Sequence, residues 1–264
     1  MPEPETRAVA DNLFEALRFF GKAQQTGEIV DLPGVSLIFC GLNYAAFNAA
    51  LLTQPIEAGG AELSRLIQVA AKQFDARNLR WTYWVCDDFL DNSLRREAPR
   101  IFSRHALRPL TEAPGMYTET LQPPDRALPS LHIQPVDGEQ TRSEFAEIMS
   151  IAFEIPHSVC AAVYGSERAW THELRGYVGY ADGRAVTTAA AMITGDAVGL
   201  YSVATLPKYR RLGFAEAIMR QVVDQAREAG GITRTVLQST RSGLTLYRKM
   251  GYRTVTTFNV YIAD

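Results

Sequence analysis

The stretch that most constrains this chain runs from Val198 to Gln238. It opens with "VGLYSVATL", a run of strand-forming residues, and passes through a turn holding Pro207, Arg210, Arg211 and Gly213. Ala215, Ile218, Met219, Val222, Val223 and Ala226 then recur at i, i+3, i+4, i+7, i+8 and i+11, the spacing of one helix face. Gly230-Gly231 stops the helix, and "TRTVLQ" resumes as strand. A strand, a tight turn, an amphipathic helix and a second strand form a unit of an α/β layer fold, because the helix must bury its apolar stripe against a sheet.

The flanking sequence extends this pattern. "LHIQPV" reads as a strand, "EQTRSEFAEIMSIAF" as an amphipathic helix, and "HSVCAAVYGSERAW" as a second, broken helix. "LRGYVGYAD" and "RAVTTAAAMI" are strands with turns at Asp182-Gly183 and Gly195-Asp196. "TRSGLTLYRKM" is a short helix ended by Gly251, and "YRTVTTFNVYI" a last strand with Phe258, Val260 and Ile262 on one face. The order is βαα-βββ-α-β-α-β.

The first half is a shorter version of the same plan. A helix is expected over about Asn12–Gln24, strands at "EIVDL" and "VSLIFC", a helix over Glu62–Phe74, a strand at "LRWTYWVC", a helix over about Leu94–Arg104, then a tail containing "APGMYTETL". "LQPPDRALPS", with three prolines and no apolar period, reads as a linker. It separates residues 1–122 from 131–264, each of ordinary domain size. "GGAELSRLIQVAAKQFDARNLRWTYW" aligns without a gap on "GFAEAIMRQVVDQAREAGGITRTVLQ", with Gly59/Gly213, Ala61/Ala215, Glu62/Glu216, Val69/Val223 and Arg80/Arg234 identical, so the chain is read as an internal repeat.

Composition bounds the function. The 264 residues are 47% hydrophobic with a net charge of −2, which gives no electrostatic footprint for nucleic acid. Three scattered cysteines, Cys40, Cys86 and Cys160, stand at no metal-ligand spacing and suit a reducing, cytoplasmic setting. The polar, acidic N-terminus is no signal peptide. The uncharged run Leu32–Ile56 is broken by Pro33, Gly34, Asn43, Asn48 and Pro55, and reads as a buried strand followed by a loop, not a membrane span.

The turn before the central helix raises a chemical reading. The first N–H groups of a helix lack internal partners and carry the positive end of its dipole, so they bind anions. Gly213 and Ala215 leave the backbone open, and Arg210 and Arg211 add charge; a phosphate fits here, and so does a plain tight turn with a solvated basic rim. Neither a Walker loop nor a G-x-G-x-x-G fingerprint is present.

"VATLPKYRRLGFAEAIM" resembles the acyl-CoA-binding signature of the GNAT acetyltransferase superfamily, whose Gln/Arg-x-x-Gly-x-Gly/Ala loop is met by Arg210, Gly213 and Ala215. Downstream, "LTLYRKMGYRTV" is similar to the family's Leu-Tyr-x-x-x-Gly-Phe/Tyr segment. The resemblance covers the second half and implies a mixed central sheet flanked by helices, with two such domains in tandem. It implies acetyl-CoA as co-substrate, lying where the fourth and fifth strands splay. Backbone groups near Val203 and Thr205 would hold the pantetheine arm, and the N–H groups over Arg211, Leu212, Gly213, Phe214 and Ala215 the pyrophosphate. Tyr247 would protonate the leaving thiolate; on its position alone, near Leu244 and Met250, it reads as a core-packing residue.

The implied activity is N-acetyl transfer to a primary amine, free or on a peptide, by direct transfer in a ternary complex. No metal, nucleic acid or membrane partner is expected, and the chain would be a monomer or homodimer. The alternative is a non-catalytic acyl-CoA-binding sensor or scaffold. Several features depart from the family. An Asn expected early in the last helix is replaced by Ser239 or Thr240. The fourth strand offers Tyr201 and Ser202 where some members carry a carboxylate base. Glu154 and His157 are alternative bases, or a solvated loop charge and a helix cap. In the first half, Ile56 stands for Arg210 and Phe102 for Tyr247, which marks that half as degenerate. Trp81, Tyr83 and Trp84 there suit core packing or a wall of the acceptor cleft.

Overall fold

The computed structural model describes residues 2–263. The first half runs α1 (Pro4–Ala23), β1 (Glu28–Leu32), β2 (Val35–Phe39), β3 (Ala49–Leu52), α2 (Gly60–Asp75), β4 (Thr82–Cys86), α3 (Asn92–Arg104) and β5 (Leu107–Thr118). The second half runs β6 (His132–Pro135), α4 (Glu139–Phe153), α5 (His157–Tyr164), β7 (Leu174–Ala181), β8 (Arg184–Thr194), β9 (Ala197–Thr205), α6 (Phe214–Gly230), β10 (Arg234–Gln238), α7 (Leu244–Lys249) and β11 (Arg253–Ala263).

All strands join one mixed sheet in the order β1-β2-β3-β4-β11-β5-β10-β9-β8-β7-β6. The parallel neighbours β3/β4 and β9/β10 are each connected by a crossover helix, α2 and α6. The two halves therefore repeat one plan, and they interlock. The last strand of the chain, β11, pairs with β4 and β5 of the first half, while β5 pairs with β10 of the second.

Three differences from the sequence reading have physical causes. Helix α1 begins at Pro4, not near Asn12, with proline in its first turn, where a missing N–H costs nothing. Strand β3, inside the expected loop, is four buried residues, "AALL", with no β-branched side chain to signal it. The expected tail is the twelve-residue strand β5. Its prolines, Pro109 and Pro114, argue against a central strand. But only Gly115–Thr118 pair with β10, and Pro114 uses its carbonyl alone, accepting the Ser239 N–H at 2.8 Å, so along Leu107–Ala113 one side of β5 is an edge.

The repeat is visible at its special backbone positions. Gly59 and Gly213 both precede a helix with positive φ, at 71° and 98°. Ala106, with φ 57°, ends α3 where Gly251, with φ 98°, follows α7. The ungapped alignment slips by two residues after the helix, since β4 starts at Thr82 and not at Arg80, the partner of Arg234. An even slip leaves each side chain on its own face of the sheet.

Packing follows the periodicity. On α6, Ile218, Met219, Val222, Val223 and Ala226 are buried against β8 and β9, while Ala215 is only half-buried. Each fully buried aliphatic side chain contributes roughly 1.5–3 kcal/mol. Phe258, Val260 and Ile262 of β11 are buried as their alternation predicts. Trp81 and Tyr83 lie in the first-half core, Trp81 stacked on Phe74 with ring centroids 4.7 Å apart. They are core residues and not a wall of a cleft.

Candidate active site

Strands β9 and β10 are paired only from Ala197/Arg234 to Gly199/Val236. Beyond Gly199 they diverge, for two local reasons. The buried Asn12 of α1 presses on the parting point, where a Cβ added to Gly199 would meet Asn12 Oδ1 at 1.7 Å. The next turn of β9 then carries a bulge. Its register with β8 shifts between Thr188/Ala204 and Ala190/Tyr201, and Ser202 takes φ 50°. Thr188 Oγ1 donates to the Ser202 carbonyl at 2.9 Å and pins the bulge. Val203, inside it, pairs with neither neighbouring strand.

The divergence opens a cleft of about 2000 Å³, counting space open to solvent. Val203, Thr205, Arg210, Arg211, Gly213, Phe214, Ala215 and Tyr247 all line it. Leu212 does not; its side chain turns outward and is 54% exposed.

The turn at the head of α6 leaves the helix start uncapped. Arg211 and Gly213 both have positive φ, at 63° and 98°, and no side chain caps the helix. The first-turn N–H groups thus lack a capping side-chain acceptor. Arg210 is committed to structure. Its Nε donates to the Thr205 carbonyl at 3.1 Å and Nη2 to the Ala152 carbonyl at 3.0 Å, near the negative end of α4. Arg211 has no hydrogen bond or ion pair from its side chain among the described residues, and faces the cleft.

A second guanidinium arrives from an unexpected place. Arg126, in the proline-rich linker, lines the cleft and donates Nη2 to the Arg211 carbonyl at 3.0 Å. The linker is tied down by Gln122 N–H to the Met250 carbonyl at 2.9 Å and by Lys249 to Asp125 at 3.0 Å. Nothing in the spacing of "LQPPDRALPS" pointed to this role, which exists only once the linker folds back over α6.

Tyr247 stands on α7 across the cleft, half-buried, and its hydroxyl has no hydrogen-bond partner among the described residues. Burial pushes its pKa up to about 12, so the phenol holds its proton at neutral pH. Gly243 makes room for it, since an added Cβ there would lie 2.7 Å from the ring. Thr240 lines the cleft with its hydroxyl against Ser242 at 2.9 Å, whereas Ser239 is buried and bonded to the Thr240 carbonyl.

The alternative bases are not brought together with these groups. Glu154 and His157 are exposed and outside the cleft; their neighbours Ala152 and Phe153 line it instead. The Tyr201 hydroxyl donates to Asn12 Oδ1 at 2.6 Å, and burial raises its pKa strongly, so it is a fixed structural link. The first half contributes Leu13, Leu17 and Trp84 as an apolar wall. Of the three aromatic residues in "RWTYWV", only Trp84 reaches the cleft. No cluster of His, Cys, Asp and Glu fit to hold a metal occurs among the described residues, and no helix there is long and apolar enough to cross a membrane.

Residues 142–252 match the model of the acetyltransferase (GNAT) family. No curated protein matches the chain. Among solved structures, the chain is similar to a GCN5-related N-acetyltransferase from Kribbella flavida, with a TM-score of 0.73 at 17% identity, over 99% of this chain and 96% of that one. A GCN5-related N-acetyltransferase from Sphaerobacter thermophilus has a TM-score of 0.58 at 17% identity, over 87% and 76% of the two chains. A tandem GNAT protein from the clavulanic acid biosynthesis pathway covers 97% of this chain and 95% of its own, with a TM-score of 0.52 at 9% identity. At these identities the likeness is one of fold.

Proposed function

We propose, for a chain that belongs to the GNAT N-acetyltransferase superfamily through its second half, that it transfers an acyl group from acetyl-CoA to a primary amine by direct transfer in a ternary complex. One observation carries the reading. The unpaired Val203 backbone, the uncapped head of α6 and the Tyr247 phenol line a single cleft where β9 and β10 part.

In this reading the pyrophosphate rests on the first-turn N–H groups of α6, beside Arg211. The pantetheine arm runs along β9 as a substitute for the missing strand neighbour. The Thr205 carbonyl already accepts from Arg210, so contacts to the arm centre on Val203. The Val203 N–H polarises the thioester carbonyl as charge develops on its oxygen. The amine nitrogen attacks the carbonyl carbon, an N–C bond forms and the C–S bond breaks with its electron pair on sulfur. Tyr247 gives its proton to that thiolate, and the amine sheds its own proton to water. No carboxylate or imidazole among the cleft residues named here is free to take it: Glu216, the one acid, is held by Arg220 at 2.7 Å.

The test is thiol release from acetyl-CoA over a panel of amines, with Tyr247→Phe as the probe. Turnover of the best acceptor falls about 10²-fold or more, while acetyl-CoA affinity barely changes. No thiol release with any amine, alongside tight acetyl-CoA binding, identifies a sensor or scaffold instead. Near-normal turnover of the Phe variant, with chemistry limiting, returns Tyr247 to a packing role.

A further inference from the structure

A second cavity opens off the cleft at the bulge, between the two halves of the chain. Its volume is about 560 Å³, counting space open to solvent, and it shares Leu17, Tyr201 and Ser202 with the cleft. Most of its lining comes from the first half, including Ala16 and Phe20 of α1, Ile38 of β2 and Phe47. Tyr164 of α5 closes the far wall.

The cavity offers a ligand no charge, and its lining is mostly apolar. No Asp, Glu, Lys, Arg or His lines it. The Tyr201 hydroxyl is bound to Asn12 and the Ser202 carbonyl is held by Thr188. Its walls are fixed by ring packing, with Tyr164 edge-on to Phe20 at 5.8 Å and to Phe47 at 6.1 Å. A cavity of this kind rejects an ammonium or a hydrated amine, because a charge buried without a partner is strongly penalised. It accepts hydrocarbon.

We infer that this cavity receives the acyl chain of the thioester, and that the chain's preferred donor is an acyl-CoA longer than acetyl-CoA. The inference rests on the acyl-CoA reading above. With the thioester carbonyl at Val203, the cavity mouth at Tyr201 and Ser202 lies beside the carbonyl carbon, so the acyl substituent enters as the continuation of that bond. The carbonyl oxygen, the last polar atom, stays at the bulge. The acceptor amine, which must keep its nitrogen hydrated until attack, approaches through the wider cleft. The first half, which lacks the arginine and the phenol of the second, would then supply the selectivity for the acyl group.

Calorimetric titration of the intact protein with CoA and with acetyl-, butyryl-, hexanoyl- and octanoyl-CoA tests this without an acceptor. Affinity is expected to rise about threefold for each methylene that enters the cavity, then level off when it is full. Ala46→Phe, at an exposed position on the cavity rim, is expected to bring the hexanoyl-to-acetyl affinity ratio down to about one. Phe20→Ala, which enlarges the cavity, moves the plateau to a longer chain. An affinity that is flat or falls from acetyl to hexanoyl in the unaltered protein, while CoA itself binds, overturns the cavity assignment alone. A flat acyl series together with an acceptor KM that falls as the acceptor's side chain grows assigns the cavity to the acceptor and equally overturns it. Failure of CoA and every thioester to bind overturns the acyl-CoA reading as well.

Discussion

The two glycines that open α2 and α6 allow the phosphate reading to be separated from backbone effects. Both take positive φ, 71° at Gly59 and 98° at Gly213. Aspartate at Gly213, with ψ 0°, bears the strain of a left-handed residue, of order 1–2 kcal/mol; at Gly59, with ψ −157°, it enters a region open essentially to glycine alone, at a cost of order 1–3 kcal/mol. Only Gly213→Asp would also meet something. Its Cβ would lie 3.0 Å from Pro129 Cδ and 3.3 Å from Arg126 Nη2, whereas nothing stands within 4 Å of a Cβ at Gly59. At Gly213 the added carboxylate would sit roughly 5 Å from a bound pyrophosphate. With an effective dielectric of about 20–80, each pair of unit charges there repels by about 0.8–3 kcal/mol. A pyrophosphate carries two such charges, so acetyl-CoA affinity should fall at least tenfold, about 1.4 kcal/mol or more. Gly59→Asp should lose at least as much stability in chemical denaturation and keep its acetyl-CoA affinity within about twofold. Calorimetry on both variants, with circular dichroism to verify the fold, decides the matter. An unchanged Kd for Gly213→Asp removes the phosphate assignment. An equal loss in both variants shows that strain alone was measured.

Three further outcomes follow from the same geometry. Because Ile56 is buried where Arg210 stands in the repeat, and the buried Phe102 replaces Tyr247, a titration should saturate at one acyl-CoA per chain; two would show a working site in the first half. Arg126→Ala removes the guanidinium that the linker brings to the cleft, so the acetyl-CoA Kd should rise about three- to tenfold at low salt and depend less on salt; an unchanged Kd and salt slope would leave Arg126 as a linker anchor only. A general acid works while protonated, so activity is present below its pKa and lost above it; with the Tyr247 pKa pushed up by burial to about 12, the rate should show no loss from this group up to pH 10, and a falling limb centred near pH 10 that Tyr247→Phe abolishes would refute the buried phenol.

The parts of the site that the sequence revealed are those built from consecutive residues. The turn Arg210–Ala215 and the helix bearing Tyr247 each span a few positions, and the structure brings all of these residues but Leu212 to one cleft. What remained hidden is tertiary. Arg126 reaches the cleft only because the linker folds back over α6, and Trp84 only because the sheet is continuous across the two halves. Glu154 and His157 sit in the right loop, but the backbone turns left-handed at Glu154, φ 56°, and the neighbouring Phe153 is the residue that lines the cleft. In the fold, β5 was masked by prolines tolerated on and beside its edge-like portion. The start of α1 was masked by polar residues on its exposed face, although Thr6, Val9, Ala10 and Leu13 already carry the buried helical spacing.

The first half has kept the scaffold and lost the charged and phenolic groups, and the sheet gives a physical reason for its retention. Strand β11 follows α7 and its Tyr247 in the chain, yet both of its neighbours, β4 and β5, belong to the first half. Strand β10, one edge of the cleft, is paired on its other side with β5. Helix α1 places Asn12 at the point where β9 and β10 part, and bonds it to the Met192 carbonyl, Thr194 and Tyr201. Removing these partners would leave buried strand edges unpaired and the Tyr201 hydroxyl without an acceptor, each a penalty of about 1–3 kcal/mol per group. The divergence of β9 from β10 is thus held open by Asn12, which precedes the linker, together with the Ser202 bulge that follows it. The two halves divide the cleft: α6 and α7 bring the uncapped turn and the phenol, while α1, β4 and β5 fix the shape of the space between them.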